Sequence, residues 1–220
     1  MSNDMTSEIK VIALDLDGVL FDGSSATFTI SQQVGLKDQY IALFQRMAQE
    51  GMDLRDSIIE GAKIWKGRPI DAAYHYLIKR LPLMEGAAET VSTLKKWDYE
   101  VGCISSGVSQ YFMEPLSRRL NLDFAYSNIL GSDDGVLDGT VQYIMGGPEK
   151  ATTILQYVQI KEHSQECIAS VGNDLNDLDI FKFSRFSIAF NPVDKRVSDA
   201  ASVTVDSKDL RDILPYFERS

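Results

Sequence analysis

The stretch VIALDLDGV, residues 11–19, runs from an apolar segment into two aspartates that are separated by a single leucine. The apolar segment predicts a buried strand, and open α/β sheets bind ligands at the carboxyl ends of their strands. Because strand side chains repeat every second residue, Asp15 and Asp17 are expected on one face. Two ionised carboxylates so close repel each other, so either one takes up a proton or a cation lies between them.

The local pattern allows two interpretations of this pair. Aspartates often cap the next helix, and a short Asp-x-Asp-Gly pattern can arise for that reason alone. A cation site is the alternative, and hard oxygen ligands without nearby His or Cys favour Mg²⁺. Gly18 allows a sharp turn where other groups approach closely. The apolar strand that leads directly into the pair favours the cation site.

The rest of the chain alternates short apolar runs with helical patterns, which predicts an α/β fold with a doubly wound, mainly parallel sheet. The predicted strands are residues 9–15, 100–105, 124–127, 167–172, 186–190 and 202–205. Helical periodicity is clear over 85–97, and a further helix follows Pro148. Two apolar runs around Asp-Asp-Gly and Asp-Gly predict a β-hairpin over 127–145.

One region breaks this alternation. Residues 25–81 have a helical pattern throughout, and a connection of this length between the first two strands predicts an inserted helical subdomain. We therefore divide the chain into a core domain, formed by residues 1–22 and 82–220, and a helical cap domain, formed by residues 23–81.

Composition excludes several classes of partner. The formal net charge of -10 argues against binding to a nucleic-acid backbone, and no apolar run approaches the length of a membrane span. The first ten residues are polar and show no signal-peptide pattern. Cys103 and Cys167 lie in separate apolar segments, which is typical of buried free thiols. We therefore expect a cytoplasmic protein without nucleic-acid or membrane partners.

Two further polar groups lie where predicted strands and helices meet. After the second strand comes Ser-Ser-Gly at 105–107, and a hydroxyl with free N–H groups at a helix N-terminus could hold an anion. A simple N-cap is the alternative. Lys150 lies in the first turn of the helix after the hairpin, where the helix dipole disfavours a cation. A phosphate oxygen could favour it there, whereas the alternative is a solvated surface lysine.

A second acidic segment follows a later strand. In CIASVGNDLNDL, residues 167–178, an apolar run ends at glycine and is followed by polar side chains. These side chains are Asn173, Asp174, Asn176 and Asp177. Their oxygens could complete an octahedral Mg²⁺ site, although Asn and Asp also form ordinary polar turns.

Taken in order, these four sites resemble the motifs of the haloacid dehalogenase-superfamily phosphatases, most closely the phosphoserine phosphatase branch. DLDGV matches the first motif, ISSG the second, Lys150 the third and VGNDLND the fourth. The resemblance covers nearly the whole chain. It implies a Rossmann-like core with a small helical cap of the C1 type between the first and second motifs.

The resemblance also implies a reaction. Asp15 is expected to attack phosphorus and form an aspartyl-phosphate, and Asp17 to protonate the leaving oxygen and then activate water. The implied function is Mg²⁺-dependent hydrolysis of a small phosphorylated metabolite.

The remaining roles follow from the same resemblance. The expected Mg²⁺ ligands are Asp15, the backbone carbonyl of Asp17, Asn173 and Asp177. The expected phosphate and substrate ligands are Ser105, the N–H of Ser106, Lys150 and Asn176.

This chain departs from the pattern at two places. Related families usually have aspartate where this chain has Asn173, so we expect weaker Mg²⁺ binding, and whether Asn173 or Asp174 is the ligand stays open. Phosphoserine phosphatases bind the substrate amine through an acidic residue and its carboxylate through a cap arginine. Those positions fall on Ser24 and near Gly61, and Arg55 lies a couple of helical turns away. Phosphoserine is therefore a doubtful substrate.

Other functions share part of this pattern. A receiver domain of a signalling relay lacks the second aspartate and the helical insert, so it does not match. Two alternatives stay open: a phosphotransferase that passes the phosphoryl group to an alcohol, and a non-catalytic relative that binds phosphate or metal.

Overall fold

The structure, a computed structural model, describes residues 9–218. Residues 1–8 and 219–220 belong to the predicted core domain but lie outside the described residues. The first ten residues, whose polar composition predicts no signal peptide, fall mostly within residues 1–8.

Within the described residues, seven strands form one sheet in the order β4-β3-β2-β1-β5-β6-β7. The strands are β1 (Val11–Leu14), β2 (Glu100–Ser109), β3 (Phe124–Asp133), β4 (Val136–Tyr143), β5 (Ile168–Gly172), β6 (Phe186–Phe190) and β7 (Val203–Val205). Neighbouring strands are parallel except β3 and β4, which form the antiparallel hairpin. The predicted α/β fold with a mainly parallel sheet is confirmed.

Helices connect these strands. They are α1 (Ala26–Gln33), α2 (Lys37–Glu50), α3 (Leu54–Ile64), α4 (Ala72–Lys79), α5 (Ala87–Lys96), α6 (Gln110–Leu120), α7 (Gly147–Ile160), α8 (Leu178–Phe183) and α9 (Lys195–Ala200). A short 3-10 helix, Leu210–Tyr216, follows β7 near the end of the described chain.

The sheet is covered on both faces, with β1 at its centre. Alternate side chains of β1 enter different apolar clusters, because strand residues point to opposite faces. Ile12 and Leu14 belong to the larger cluster, and Val11 and Ala13 to the smaller one. This two-sided burial explains why the strand is apolar without a break, and it fixes Asp15 at the strand's carboxyl edge.

Helices α1 to α4 fill the connection between β1 and α5, and the chain after α3 contacts the hairpin. The N–H of Gly67 donates to the Leu137 carbonyl (2.7 Å), and the N–H of Ile70 donates to the Gly135 carbonyl (2.8 Å). These two bonds join the chain after α3 to the β3–β4 hairpin and hold helices α1 to α4 against it. The division into core and cap domains remains a prediction.

The expectation that residues 105–107 lie at a helix N-terminus is wrong. They belong to β2, and α6 begins only at Gln110. The pairing of β2 with β3 shifts register between Ile104 and Ser109, so this stretch lacks regular strand partners. The side chain of Asn128 replaces them, donating to the carbonyls at 106 (2.8 Å) and 108 (3.0 Å). The extended backbone therefore persists past the point where the sequence pattern predicts a helix.

No helix among residues 9–218 is both long enough and apolar enough to cross a membrane.

Candidate active site

The centre of the candidate site is a buried lysine between two carboxylates. Lys150 Nζ donates to Oδ1 of Asp15 (2.7 Å) and to Oδ1 of Asp177 (2.8 Å). All three side chains are at most 7% exposed. The two carboxylates offset the unfavourable position of a cation in the first turn of α7, which answers why a lysine occurs there.

Asp15 and Asp177 come from neighbouring strands, β1 and β5. The N–H of Asp15 donates to the Val171 carbonyl (2.9 Å), which continues the parallel pairing one residue beyond β1. Asp177 Oδ2 accepts the N–H groups of Asn173 (2.9 Å) and Asp174 (3.2 Å), so this carboxylate also holds the turn after β5. Both aspartates are thus oriented by backbone groups at the carboxyl edge of the sheet.

Asp17 lies beyond the end of β1, in a turn, and faces the start of α1. Its Oδ1 accepts the N–H of Ala26 (2.7 Å), the first residue of that helix. Its Oδ2 lies against β2, because a Cβ added to Gly107 would lie 2.1 Å from this oxygen. Glycine at 107 is therefore what allows Asp17 to approach the Ser-Ser-Gly segment.

The turn after Asp17 brings the fourth motif alongside the first. Gly18 has φ +78°, and a Cβ there would lie 2.0 Å from Nδ2 of Asn173. A side chain at 18 would be strained and would displace the Asn173 amide. The amide is consequently placed beside Gly18, next to the first motif.

The two serines of the second motif behave differently. Ser105 Oγ accepts the N–H of Gly107 (3.1 Å), which shapes the backbone of this segment. Ser106 is 6% exposed, and its Oγ has no hydrogen-bond partner among the described residues. A buried hydroxyl without a partner is costly, so Ser106 has an unused hydrogen-bonding group beside the site.

Asn128 is a site residue that sequence reasoning missed. Besides holding the carbonyls at 106 and 108, its Oδ1 accepts the N–H of Met145 (2.8 Å). All of its hydrogen-bonding groups are therefore used to fix β2 against the hairpin and the start of α7. In the sequence it is one of several polar residues of β3, so no local signal distinguishes it.

Asn176, which we grouped with the phosphate ligands, bonds to Asp174 in the turn after β5. Its Nδ2 donates to Oδ2 of Asp174 (3.1 Å), and its N–H donates to Oδ1 of the same residue (2.7 Å). The structure thus brings together Asp15, Asp17, Lys150, Asn173 and Asp177, and Asn176 bonds within the turn that holds Asp177. Its role in substrate binding remains a prediction.

Burial, with repulsion from neighbouring carboxylates, raises the pKa of Asp15 and of Asp17. Burial raises the pKa of Asp15 well above its usual range, and Asp177 and Asp17 add to this while Lys150 opposes it. Burial raises the pKa of Asp17 to about 7, against the opposing effects of the Ala26 N–H and Lys150. Asp17 is thus close to half protonated at neutral pH, as general acid–base catalysis requires.

Lys150 remains charged in spite of its burial. Burial alone lowers the pKa of an ammonium, but Asp15 and Asp177 outweigh this and raise the pKa of Lys150. The pKa of Asp174 is raised, first by burial and then by Asp177. The site therefore has more negative charge than its one ammonium compensates.

That excess charge fits a divalent cation. The acidic groups near Lys150 are the four carboxylates of Asp15, Asp17, Asp174 and Asp177. Over residues 9–218, no three His, Cys, Asp or Glu side chains are arranged to hold a metal ion by themselves. A ligand set must therefore include other oxygens, and the candidates are the Asp17 carbonyl and the Asn173 amide. Such hard oxygen donors suit Mg²⁺.

Comparisons with known proteins identify the family of this chain. A family model for haloacid dehalogenase-like hydrolases matches residues 9–182. The phosphoserine phosphatase of Methanocaldococcus jannaschii is 27% identical over 217 residues, covering 97% of this chain and all of that protein. That of Archaeoglobus fulgidus is 28% identical over 92% of this chain, and the chain spans 58% of its length.

Solved structures show the same relationship. A phosphoserine phosphatase solved as a phospho-aspartyl intermediate analogue superposes with a TM-score of 0.81 and 26% identity, covering 96% of this chain and 99% of that one. A Salmonella enterica hydrolase of the same superfamily has a TM-score of 0.85 at 23% identity, covering 95% of this chain and 71% of that one; it shows the fold alone. The chain therefore belongs to the haloacid dehalogenase-like hydrolases, as its four motifs predict.

Proposed function

We propose that this chain is an Mg²⁺-dependent phosphomonoester hydrolase that acts through an aspartyl-phosphate on Asp15. The observation that carries the proposal is the buried ion pair of Lys150 with Asp15 and Asp177 at the sheet edge. An ammonium held there orients the nucleophile and offsets negative charge on a transferring phosphoryl group. Membership of the family and similarity to phosphoserine phosphatases support the same reaction.

Asp15 and Asp17 divide the chemistry of the proposed reaction. An oxygen of Asp15 attacks phosphorus, the ester P–O bond breaks, and the leaving oxygen takes a proton from Asp17. Water then attacks the aspartyl-phosphate and gives a proton to Asp17, which releases phosphate and restores Asp15. A pKa of about 7 suits Asp17 to both steps.

The remaining groups bind the phosphoryl oxygens and the metal ion. Ser105, the N–H of Ser106 and Lys150 are the proposed phosphate ligands. Mg²⁺ would be held by Asp15, the Asp17 carbonyl and Asn173, with Asp177 supporting the turn. When bound, the ion supplies positive charge that lowers the repulsion between the phosphate and the aspartates.

Three wider proposals accompany this function. Residues 23–81 form a cap domain over the site, the substrate is a small phosphorylated metabolite, and the protein is cytoplasmic. Cys103 and Cys167 are free and buried, which is compatible with a reducing compartment. Limited proteolysis at the borders of the cap domain and cell fractionation would test the first and third.

The decisive experiment compares Asp15→Asn with wild type in a phosphate-release assay, with Mg²⁺ and with chelator. We expect turnover to fall at least about 10³-fold in Asp15→Asn, because the nucleophile is lost, and to fall likewise in chelator. The matched control is Asp98→Asn at an exposed position of positive φ, which asparagine tolerates. Acid-quenched wild type should hold phosphate that hydroxylamine releases.

Substantial turnover in Asp15→Asn would refute the nucleophile assignment. Phosphate transferred mainly to an added alcohol, with little free phosphate, would instead identify a phosphotransferase. A protein that binds phosphate but never forms the hydroxylamine-sensitive adduct would be a non-catalytic relative.

A further inference from the structure

Beside the acidic site lies a cavity of about 160 Å³ between helices α1 to α4 and strand β2. Its wall includes Ser106 and Gly107 of the second motif. Gly107 also touches Asp17, since a Cβ there would lie 2.1 Å from Asp17 Oδ2. The cavity thus begins where the proposed acid would protonate a leaving oxygen, and a leaving group would extend into it.

Among residues 9–218, no charged side chain lines the cavity. The wall formed by α2 and α3 is apolar and includes Phe44, Met47, Leu54 and Ile58. Bringing an ammonium or a carboxylate into such surroundings without a partner is strongly unfavourable. Arg55 of α3 does not line the cavity; its Nη1 pairs with Oε1 of Glu149 (2.7 Å).

Several polar groups of the wall already bond to the protein. Tyr40 accepts a hydrogen bond from Trp65 Nε1 (2.7 Å), and Thr27 donates to the Gly107 carbonyl (2.6 Å). Ser106 Oγ, in contrast, is buried and has no partner among the described residues. Because this oxygen is itself buried, a ligand in the cavity meets mainly apolar surface.

We infer, on the basis of the proposed hydrolase function, that the substrate is a phosphomonoester whose alcohol part is uncharged and largely apolar. The cavity is close in size to one of about 150 Å³ that holds a benzene molecule, so the group is about as large as one aromatic ring. Phosphoserine, whose alcohol part is a zwitterion, does not match this chemistry.

The test is a series of straight-chain alkyl phosphates, from methyl to octyl, with phosphoserine and glucose 6-phosphate as charged and polar comparisons. We expect kcat/KM to rise by up to about fourfold per methylene until the cavity is full, and then to level off. The same series, titrated against Asp15→Asn, measures affinity without turnover. A flat series in both measurements, or phosphoserine as the best substrate, overturns the inference.

A matched pair of variants on α3 locates the effect. Ile58 lines the cavity, whereas its neighbour Ile59 is 37% exposed and does not. Ile58→Lys should lower the affinity for hexyl phosphate at least tenfold and flatten the chain-length series, and Ile59→Lys should leave it unchanged. Equal effects of both variants would contradict binding in this cavity.

The two proposals fail in different ways. One outcome is that no ester is hydrolysed, but affinity rises with chain length and Ile58→Lys abolishes the rise. The proposed hydrolase function is then wrong, and the cavity still stands as the binding site of the apolar group. If esters are hydrolysed through Asp15 without any dependence on chain length, the hydrolase stands and the cavity assignment is wrong.

Discussion

Two neighbouring regions of this molecule differ completely in character. The site around Lys150 holds four carboxylates and one ammonium within a buried volume. The adjacent cavity, which touches it at Gly107, has a wall without any charged side chain. The charged region is built on strand ends of the sheet, whereas most of the cavity wall comes from helices α1 to α4.

The difference separates two tasks. Groups that act on phosphorus must be held rigidly, and hydrogen bonds between strand ends and buried side chains provide this. Groups that select the alcohol part need only match its size and polarity, so they can change while the chemistry is kept. Helices α1 to α4 can therefore lack a charged clamp for the substrate while the groups at the sheet edge are kept.

The largest effect is expected from Lys150→Met. Without the ammonium, Asp15 and Asp177 face each other unpaired, and breaking a buried pair of this kind typically costs about 3–5 kcal/mol. Urea unfolding at pH 7 measures the loss, and turnover should disappear as well. The deficit should shrink at acidic pH, because burial raises the pKa of Asp15 and this carboxyl then takes up a proton.

Lys161→Met is the control on the same helix. Lys161 is 47% exposed and lies 3.4 Å from Glu100, so its removal should cost less than about 1 kcal/mol. A similar loss in both variants would show that Lys150 does not form the strong buried pair described above.

A second effect should appear in the pH dependence of stability. Burial raises the pKa of Asp17 from 3.8 to about 7, so the folded protein keeps a proton that the unfolded chain loses near pH 4. The folded state binds more protons across this interval, and the free energy of unfolding therefore falls as pH rises from 4 to 7. Asp17 contributes at most about 4 kcal/mol to this fall.

The measurement is urea unfolding in chelator at several pH values, for wild type and Asp17→Asn. The variant has no carboxyl to titrate, so its stability should fall less over the same interval. Parallel curves for the two proteins would mean that Asp17 is not held in its protonated form.

The contrast between the regions also explains what the sequence could reveal. The central strands were predictable because their apolar runs reflect burial on both faces of the sheet, and the hairpin was predictable from its Asp-Gly turn residues. The contact of Lys150 with Asp15 spans 135 residues, and only the resemblance to known motifs predicted that they meet. The strand conformation of residues 105–107 depends on Asn128, a tertiary contact that no local pattern encodes.

The cavity was even harder to predict from the sequence. Apolar residues at helical spacing in α2 and α3 have the same pattern whether they fill a core or surround a space. The pairing of Arg55 with Glu149 joins residues 94 apart, so the sequence leaves the partner of this arginine undetermined. The absence of charge in the cavity follows from the packing of several elements together.

A smaller effect is expected from Asn173→Asp. The amide lies beside the first motif but supplies no charge, so a carboxylate should tighten Mg²⁺ binding, by about tenfold. Isothermal titration with Mg²⁺ measures the change. Unchanged affinity would indicate that residue 173 is not a ligand and would leave Asp174 as the candidate.

The smallest effect should come from Arg55→Ala, which tests whether the cap lacks a charged clamp for the substrate. Arg55 is 56% exposed and pairs with Glu149, and exposed pairs contribute at most about 1 kcal/mol. We expect kcat/KM to change less than about threefold for every ester, because Arg55 pairs with Glu149 and does not contact the alcohol part of the substrate. The ratio between hexyl phosphate and phosphoserine should stay constant. A selective loss of activity toward phosphoserine would instead place this guanidinium at the substrate carboxylate, and the cavity would no longer be the region that selects.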